Sequence, residues 1–382
     1  MSSGSFSGPK GDGASAQQAA AATERRERER RDDARALTLA ELEAIRLTLR
    51  GGSVVDWYRL NFDDESEIRT FLRLLEGDLD DPADVARMQH LREAASQYLT
   101  DTHAYRVPDE LLLCPPIELF WYASAKRGRR RDRFFACLML KVMHIIHHIE
   151  ARELRYRLSL PHSQIAGLIV DKVDNFANLL RAEGFPLARY TGGEKTLESL
   201  ITKLLVKKEH HAATIHDLVR FRFVVEKPAD LVPLLHQMTT RLLPFSYVVP
   251  GSTVNHLVNF TALIESHEAY RKVSDEFQVE LGHEENALPL LNEFSGPTFR
   301  VINFAADVPV RVPEGSCSET DAELGRVVFG LAEFQVVDAE SDLQNEAGDN
   351  RHDRYKGRQL SRVRARLERG LRRKWDGESD ES

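Results

Sequence analysis

The spacing of apolar residues changes once along this chain, and that change sets what it can fold into. From 37 to about 184 apolar residues recur at three and four, as in Leu39, Leu42, Ile45 and Leu49, or Leu138, Val142, Ile145, Ile146 and Ile149. That spacing lays one apolar stripe along an α-helix. Turn residues interrupt this half at Gly51 and Gly52, 80–82, Pro108, Pro115 and Pro116, and 160–162. After Pro186 β-branched and aromatic residues dominate. Strands are predicted at 215–225, 245–249, 257–264, 299–310 and 326–337. Helices are predicted at about 196–209, after Pro228, and over about 342–375. The expected fold class is α+β: an all-helical N-terminal domain over 37–185, then a mixed or antiparallel β-sheet domain flanked by helices over 186–375. Residues 1–36 pass from a Ser-, Gly-, Ala- and Gln-rich segment into a charge run and are expected to be a disordered arm, with 376–382 an acidic tail.

A chain of 382 residues can build two cores. Its net charge of -8 excludes wholesale wrapping of nucleic acid but permits local basic patches. Cys114, Cys137 and Cys317 are far apart and lack metal-ligand spacing, which fits a reduced cytoplasm and no disulfide framework. No segment reads as an apolar run of roughly 20 residues, so a cytoplasmic protein without a membrane span is expected.

The polar residues that carry chemistry lie in the second half. Lys195, Ser199 and Lys203 recur every four residues and Lys207 follows. On a helix such residues drift by about 40° per step and form a stripe opposite Leu197, Leu200, Ile201, Leu204 and Leu205. Two ammonium groups and a hydroxyl on one edge suit phosphate; the alternative is a solvated Lys face. Period-two alternation puts Asp217 with Ile215, Val219, Phe221 and Phe223, and Glu333 and Gln335 with Phe329, Leu331 and Val337. Carboxylates on apolar faces call for a partner, either a shared Mg²⁺ or salt bridges to Arg220, Arg222 or Lys203.

These residues resemble the RelA/SpoT-like nucleotide pyrophosphokinases, which make (p)ppGpp and related products. That family's core reads Gly-Arg-x-Lys, then Ser, Lys and Lys or Arg at intervals of four, then Asp-Leu-x-x-x-Arg. Here Lys195, Ser199, Lys203 and Lys207 precede Asp217-Leu218-Val219-Arg220-Phe221-Arg222. The later signature is similar to Glu333-Phe334-Gln335-Val336, Asn345-Glu346, His352 and Tyr355-Lys356. The resemblance implies a nucleotidyltransferase-like domain using ATP and Mg²⁺. It assigns ATP phosphates to Lys195, Ser199, Lys203 and Arg222, the metal to Asp217 and Glu333, and base catalysis to Glu333. Lys207, Gln335, His352, Tyr355 and Lys356 are expected to add nucleotide contacts and Phe299 to stack on the acceptor base. The implied reaction is attack of a nucleotide or RNA 3'-hydroxyl on the β-phosphate of ATP, releasing AMP.

Two departures stand out. Gly193 replaces the family's Arg, leaving Arg189 as the substitute, and 299–303 replaces the acceptor motif Gly-Tyr-x-Ser-x-His, with its Ser and His replaced by Val301 and Asn303. They favour an altered acceptor or, alternatively, a catalytically degenerate nucleotide- or RNA-binding regulator. Long members of the family carry a His-Asp hydrolase site. The helical half offers His144, His147 and His148 on one helix with Glu150 nearby but no His-Asp pair, and the triplet reads as a mixed helix face, so no hydrolase is expected. Basic runs at 126–133 and at Arg358, Arg362, Arg364, Arg366, Arg369, Arg372, Arg373 and Lys374 suit tRNA or RNA phosphates. Interleaved aromatics are scarce in the sequence around them, so a solvated face is the alternative.

Overall fold

The computed structural model describes 37–50, 62–194, 219–266, 299–346 and 360–368, except for a few positions inside those ranges, and single residues between 196 and 205. Contacts divide the chain into Met1–Thr38 and Leu39–Ser382, and everything below concerns the second unit. The arm at 1–36 and the tail at 376–382 lie outside the described residues. Within the helix expected at 196–209, Glu198, Ile201, Thr202 and Leu205 are helical.

The first half is helical, as its periodicity predicts: α1 Leu39–Arg50, α2 Glu65–Leu74, α3 Pro82–His103, α4 Asp109–Leu113, α5 Glu118–Ala123, α6 Arg130–Arg157 and α7 His162–Ala182. Helix starts follow the local chemistry. Asp64 accepts from Glu67 N at 3.0 Å, Asp81 accepts from Ala83 N at 2.9 Å, and Pro82 fills the first position of α3, where its missing N–H costs nothing. Leu91, Ala95, Leu99, Leu119, Phe120, Phe135, Met139 and Met143 pack into one core between α3, α5 and α6. By length and composition α6 is apolar enough to cross a membrane, which corrects the expectation that no segment is. Its buried face belongs to this core, and Lys141, Glu150, Arg152, Glu153 and Arg155 punctuate it.

The second half is a mixed sheet of β1 Leu187–Glu194, β2 Val219–Val225, β3 Val254–Asn255, β4 Ile302–Arg311 and β5 Val327–Asp338, in the order β1-β2-β5-β4-β3. Only β2 and β5 run parallel among these pairs. The fold class is α+β, as expected. Helix α8 (Leu231–Arg241) follows the turn opened by Pro228.

Three strand readings are corrected. Strand β1 was not anticipated, because an edge strand reading Arg-Tyr-Thr-Gly-Gly-Glu has little apolar alternation. Pro244 and Pro250 bracket 245–249, which forms a 3-10 turn with a single bridge from Val248 to Ala306. At 257–264 the Asn255 side chain ends β3 by accepting from Leu257 N (3.2 Å) and Val258 N (3.0 Å), and Asn259 then caps helix α9 (Phe260–Ser266) through Ala262 N at 3.0 Å. The helix expected over 342–375 is described only as α10 (Ala339–Glu346) and as helical residues between 360 and 367.

Helix α7 lies on the sheet face that carries Phe221, Phe223, Phe304 and Phe334, all buried. Phe176 meets Phe223 edge-on at 6.1 Å, and Tyr190 Oη donates to Asp174 at 2.6 Å. Gly330 is what allows this approach, since a Cβ there would run into Ile169 Cδ1. Burial of each such ring contributes roughly 1.5–3 kcal/mol. On the opposite face α6 covers only one end, at Phe329.

Candidate functional site

The uncovered part of that second face gathers the polar residues of four strands. Parallel pairing sets Arg220 beside Glu333 and Arg222 beside Gln335. Antiparallel pairing adds Ala305 and Asn303 from β4, and Gly193 and Thr191 from β1. Two rows therefore cross the sheet, Gly193–Arg220–Glu333–Ala305 and Thr191–Arg222–Gln335–Asn303. Neighbouring strands lie about 4.8 Å apart, so long side chains in one row can reach each other.

They do. Arg220 Nε donates to Glu333 Oε2 at 2.8 Å, and Gln335 Nε2 donates to Glu333 Oε1 at 3.3 Å. With its amide turned to satisfy both neighbours, Asn303 donates to Glu333 Oε1 at 3.1 Å and to the Phe334 carbonyl at 3.2 Å. Arg222 Nη1 donates to Gln335 Oε1 at 2.8 Å, while its Nε and Nη2 donate to Asp342 Oδ1 at 3.0 and 2.5 Å. Asp342 belongs to α10, whose first turn is fixed by Ser341 N donating to Asp338 at 2.9 Å. Arg189 donates to the other oxygen of Asp342 and reaches Glu346 at 3.4 Å. The Glu333 side chain is 13% exposed and that of Arg220 42%, so the carboxylate is fixed below while the guanidinium stays within reach of solvent.

Of the predicted site residues, Arg222, Glu333 and Gln335 come together here. Phe299 is partly buried just before the Arg300 backbone, which is locked to α10 by Arg300 N donating to Asn345 Oδ1 (2.9 Å) and Asn345 Nδ2 donating to the Arg300 carbonyl (2.7 Å). Lys195, Ser199, Lys203, Lys207, Asp217, His352, Tyr355 and Lys356 lie outside the described residues. The expectation of a carboxylate on an apolar face is corrected for Glu333. Phe329 and Val337 do share its alternation, but around Glu333 the face is polar, and it takes the salt-bridge alternative with Arg220. Val219, Phe221 and Phe223 point to the α7 side instead, away from Glu333. Arg189 stands beside Arg222 across Asp342, whereas Gly193 has φ 149°, a conformation in which an arginine would be strained.

Sequence reasoning treated Arg220 only as an alternative partner and missed Asp342. Arg220 was legible, two residues before Arg222 on the same strand face. Asp342 was not, because its place depends on how α10 leaves β5.

The histidines of α6 seal the covered end of this face. His148 stacks on Phe329 at 4.2 Å and 12°, and His144 on Tyr247 at 5.2 Å and 20°. Burial holds the His144 imidazole down to about 3, with His148 adding to it, and His148 down to about 4. His147 is also held down to about 3 by burial, helped by Arg87 and the other two histidines. Among the described residues no group of three or more His, Cys, Asp or Glu side chains is placed to hold a metal ion.

No family model and no curated protein sequence matches this chain. Solved structures to which it is similar include small alarmone synthetases and a GTP pyrophosphokinase family protein. Small alarmone synthetase 2 from Bacillus subtilis matches at 14% identity and TM-score 0.29, over 55% of this chain and 96% of that one. Small alarmone synthetase 1 from the same organism, bound to its product pppGpp, matches at 14% identity and TM-score 0.31, over 57% and 92%. A GTP pyrophosphokinase family protein from Streptococcus pneumoniae matches at 14% identity and TM-score 0.25, over 58% and 90%.

Proposed function

We propose that this protein transfers pyrophosphate from ATP to the 3'-hydroxyl of a nucleotide or RNA in the cytoplasm, in the manner of the RelA/SpoT-like synthetases its motifs resemble. In this reading 186–375 carries the site, and the helical half 37–185 recognises a partner. The observation that carries it is the juxtaposition of Arg222, Gln335 and Glu333 on an uncovered sheet face, from motif blocks 113 residues apart.

Each residue has work of its own. Arg222 spends three of its five N–H groups on Asp342 and Gln335, which fixes its plane and leaves two donors for a phosphate oxygen. Arg189 brings a second guanidinium to the same carboxylate and so to the same phosphates. Arg220, half exposed, neutralises charge beside Glu333. Glu333, held by Arg220, Gln335 and Asn303, accepts the proton of the acceptor hydroxyl as its oxygen bonds to the β-phosphorus and the bond to AMP breaks.

The donor chemistry also suits Mg²⁺. Glu333 keeps lone pairs beyond those its three donors take, and Mg²⁺ at phosphates needs only one or two carboxylates. The ion would neutralise charge on the phosphate oxygens.

The test is a transfer assay with γ-labelled ATP and Mg²⁺, offering GDP, GTP, other nucleotides and bulk tRNA. Label should move to one acceptor and be lost with Glu333→Gln. The Arg220–Glu333 ion pair supports a second reading, a nucleotide-binding regulator without turnover. That reading replaces the first if ATP or a guanine nucleotide binds and no acceptor is labelled.

A further inference from the structure

The segment 126–133 carries six cations and one acid. Lys126 pairs with Asp63 at 2.7 Å, Arg127 pairs with Glu118 at 2.6 Å, and Asp132 is occupied by the backbone N–H of Arg129 at 2.7 Å. Arg129, Arg130 and Arg131 stay exposed and, among the described residues, make no ion pair; the same holds for Arg106. These arginines begin α6, where the helix dipole opposes positive charge, so helix stability does not account for them.

The tertiary structure supplies what the sequence around this segment lacks. The last turns of α3 and its left-handed exit at Ala104 bring Tyr98, His103 and Tyr105 against the start of α6. The rings form a chain: Tyr98 to His103 at 5.3 Å, His103 to Tyr105 at 6.0 Å, Tyr105 to Phe134 at 6.4 Å and Phe134 to Phe135 at 5.4 Å. Tyr98, Tyr105 and Phe134 are 46%, 38% and 47% exposed, unusual for large rings in contact with one another. Arg131 joins the two sets, its guanidinium 5.6 Å from the Phe135 ring centre and its Nη2 donating to the Arg106 carbonyl at 3.3 Å.

Unpaired guanidiniums attract a phosphate backbone, and exposed aromatic faces stack on bases that no duplex holds. We propose that this surface docks a single-stranded nucleic acid through Tyr98, Tyr105, Phe134, Arg106 and Arg129–Arg131. A duplex offers the charge without free base faces, and an acidic peptide offers the charge without flat rings. The inference stands apart from pyrophosphate transfer.

The experiment is fluorescence anisotropy on the full chain with labelled 12-nucleotide RNA and DNA strands, the matching duplex and an acidic peptide, over a salt series. Single strands should bind about tenfold or more tighter than the duplex, and whether RNA or DNA leads names the source. Replacing Arg129, Arg130 and Arg131 by Ala should weaken binding about tenfold or more and flatten the salt slope by about 2, at about 0.7 per phosphate lost. Tyr98→Ala with Tyr105→Ala should weaken it roughly 5- to 100-fold at unchanged slope, with the Phe pair near wild type. Thermal unfolding confirms that the variants are folded. Equal binding of duplex and single strand, tighter binding of the peptide, undiminished binding by the triple variant, or no binding overturns the proposal. The triple variant should label nucleotide acceptors at the wild-type rate. If the wild type labels none yet binds single strands as described, the transferase reading fails and this surface stands.

Discussion

At Phe329, the odd-numbered face of β5 is closed by α6: His148 lies flat on the ring, His144 lies on Tyr247, and burial keeps the imidazoles neutral. At Glu333, four residues along the same face, the side chains are held in ion pairs, Arg220 to Glu333 and Arg222 to Asp342. Strand, face and alternation are shared, so the difference lies in the side chains at the two positions and in what packs over them. A covered polar group must go neutral or find a partner, whereas an uncovered one can stay charged and meet a ligand.

The contrast can be broken or sharpened by experiment. Glu333→Gln should reduce transfer about 10²–10⁴-fold, the range for removing an acid–base group, with little change in melting temperature. Retained turnover would remove the functional half of the contrast. Phe329→Ala should do the reverse, costing about 3–5 kcal/mol in denaturant unfolding while the folded variant matches wild type in the transfer assay.

Acid should act through the covered end. His144, His147 and His148 bind protons near their ordinary range once unfolded but resist them when folded. Their contribution to stability is therefore complete above about pH 6.5 and is lost as pH falls toward 4 and then 3. Three protons taken up only by the unfolded chain set a ceiling of ~4 kcal/mol per pH unit on that loss. Melting temperature measured from pH 7 to 4 should fall, and less so for His148→Phe. The smallest effect should come from Arg222→Ala, about 1–2 kcal/mol, because Arg189 still neutralises Asp342. Equilibrium unfolding measures that cost, and ATP titration should show a larger relative loss in affinity than in stability.

The helices of the first half were legible because apolar periodicity, Pro82 and the Asp caps are local signals. Strands β4 and β5 were legible for the same reason, through long period-two runs. The errors at 245–249 and 257–264 arose where β-branched residues gave a strand signal and Pro244, Pro250, Asn255 and Asn259 overrode it. At the site, the sequence placed Arg222, Glu333 and Gln335 in the same chemistry, but the polar character of the Glu333 face and its Arg220 partner depended on pairing between distant strands.

By itself, then, the sequence determined the helical half, the α+β class, the two long strands and the order of the phosphate-type motifs, all properties carried by a few consecutive residues. Tertiary structure alone decided that β2 runs beside β5, that α6 packs on Phe329, that Asp342 binds Arg222, and that Tyr98 and Tyr105 meet the arginines of α6. Each of these depends on where one element crosses another, and crossing geometry is set by packing between surfaces, not by the period of any single segment.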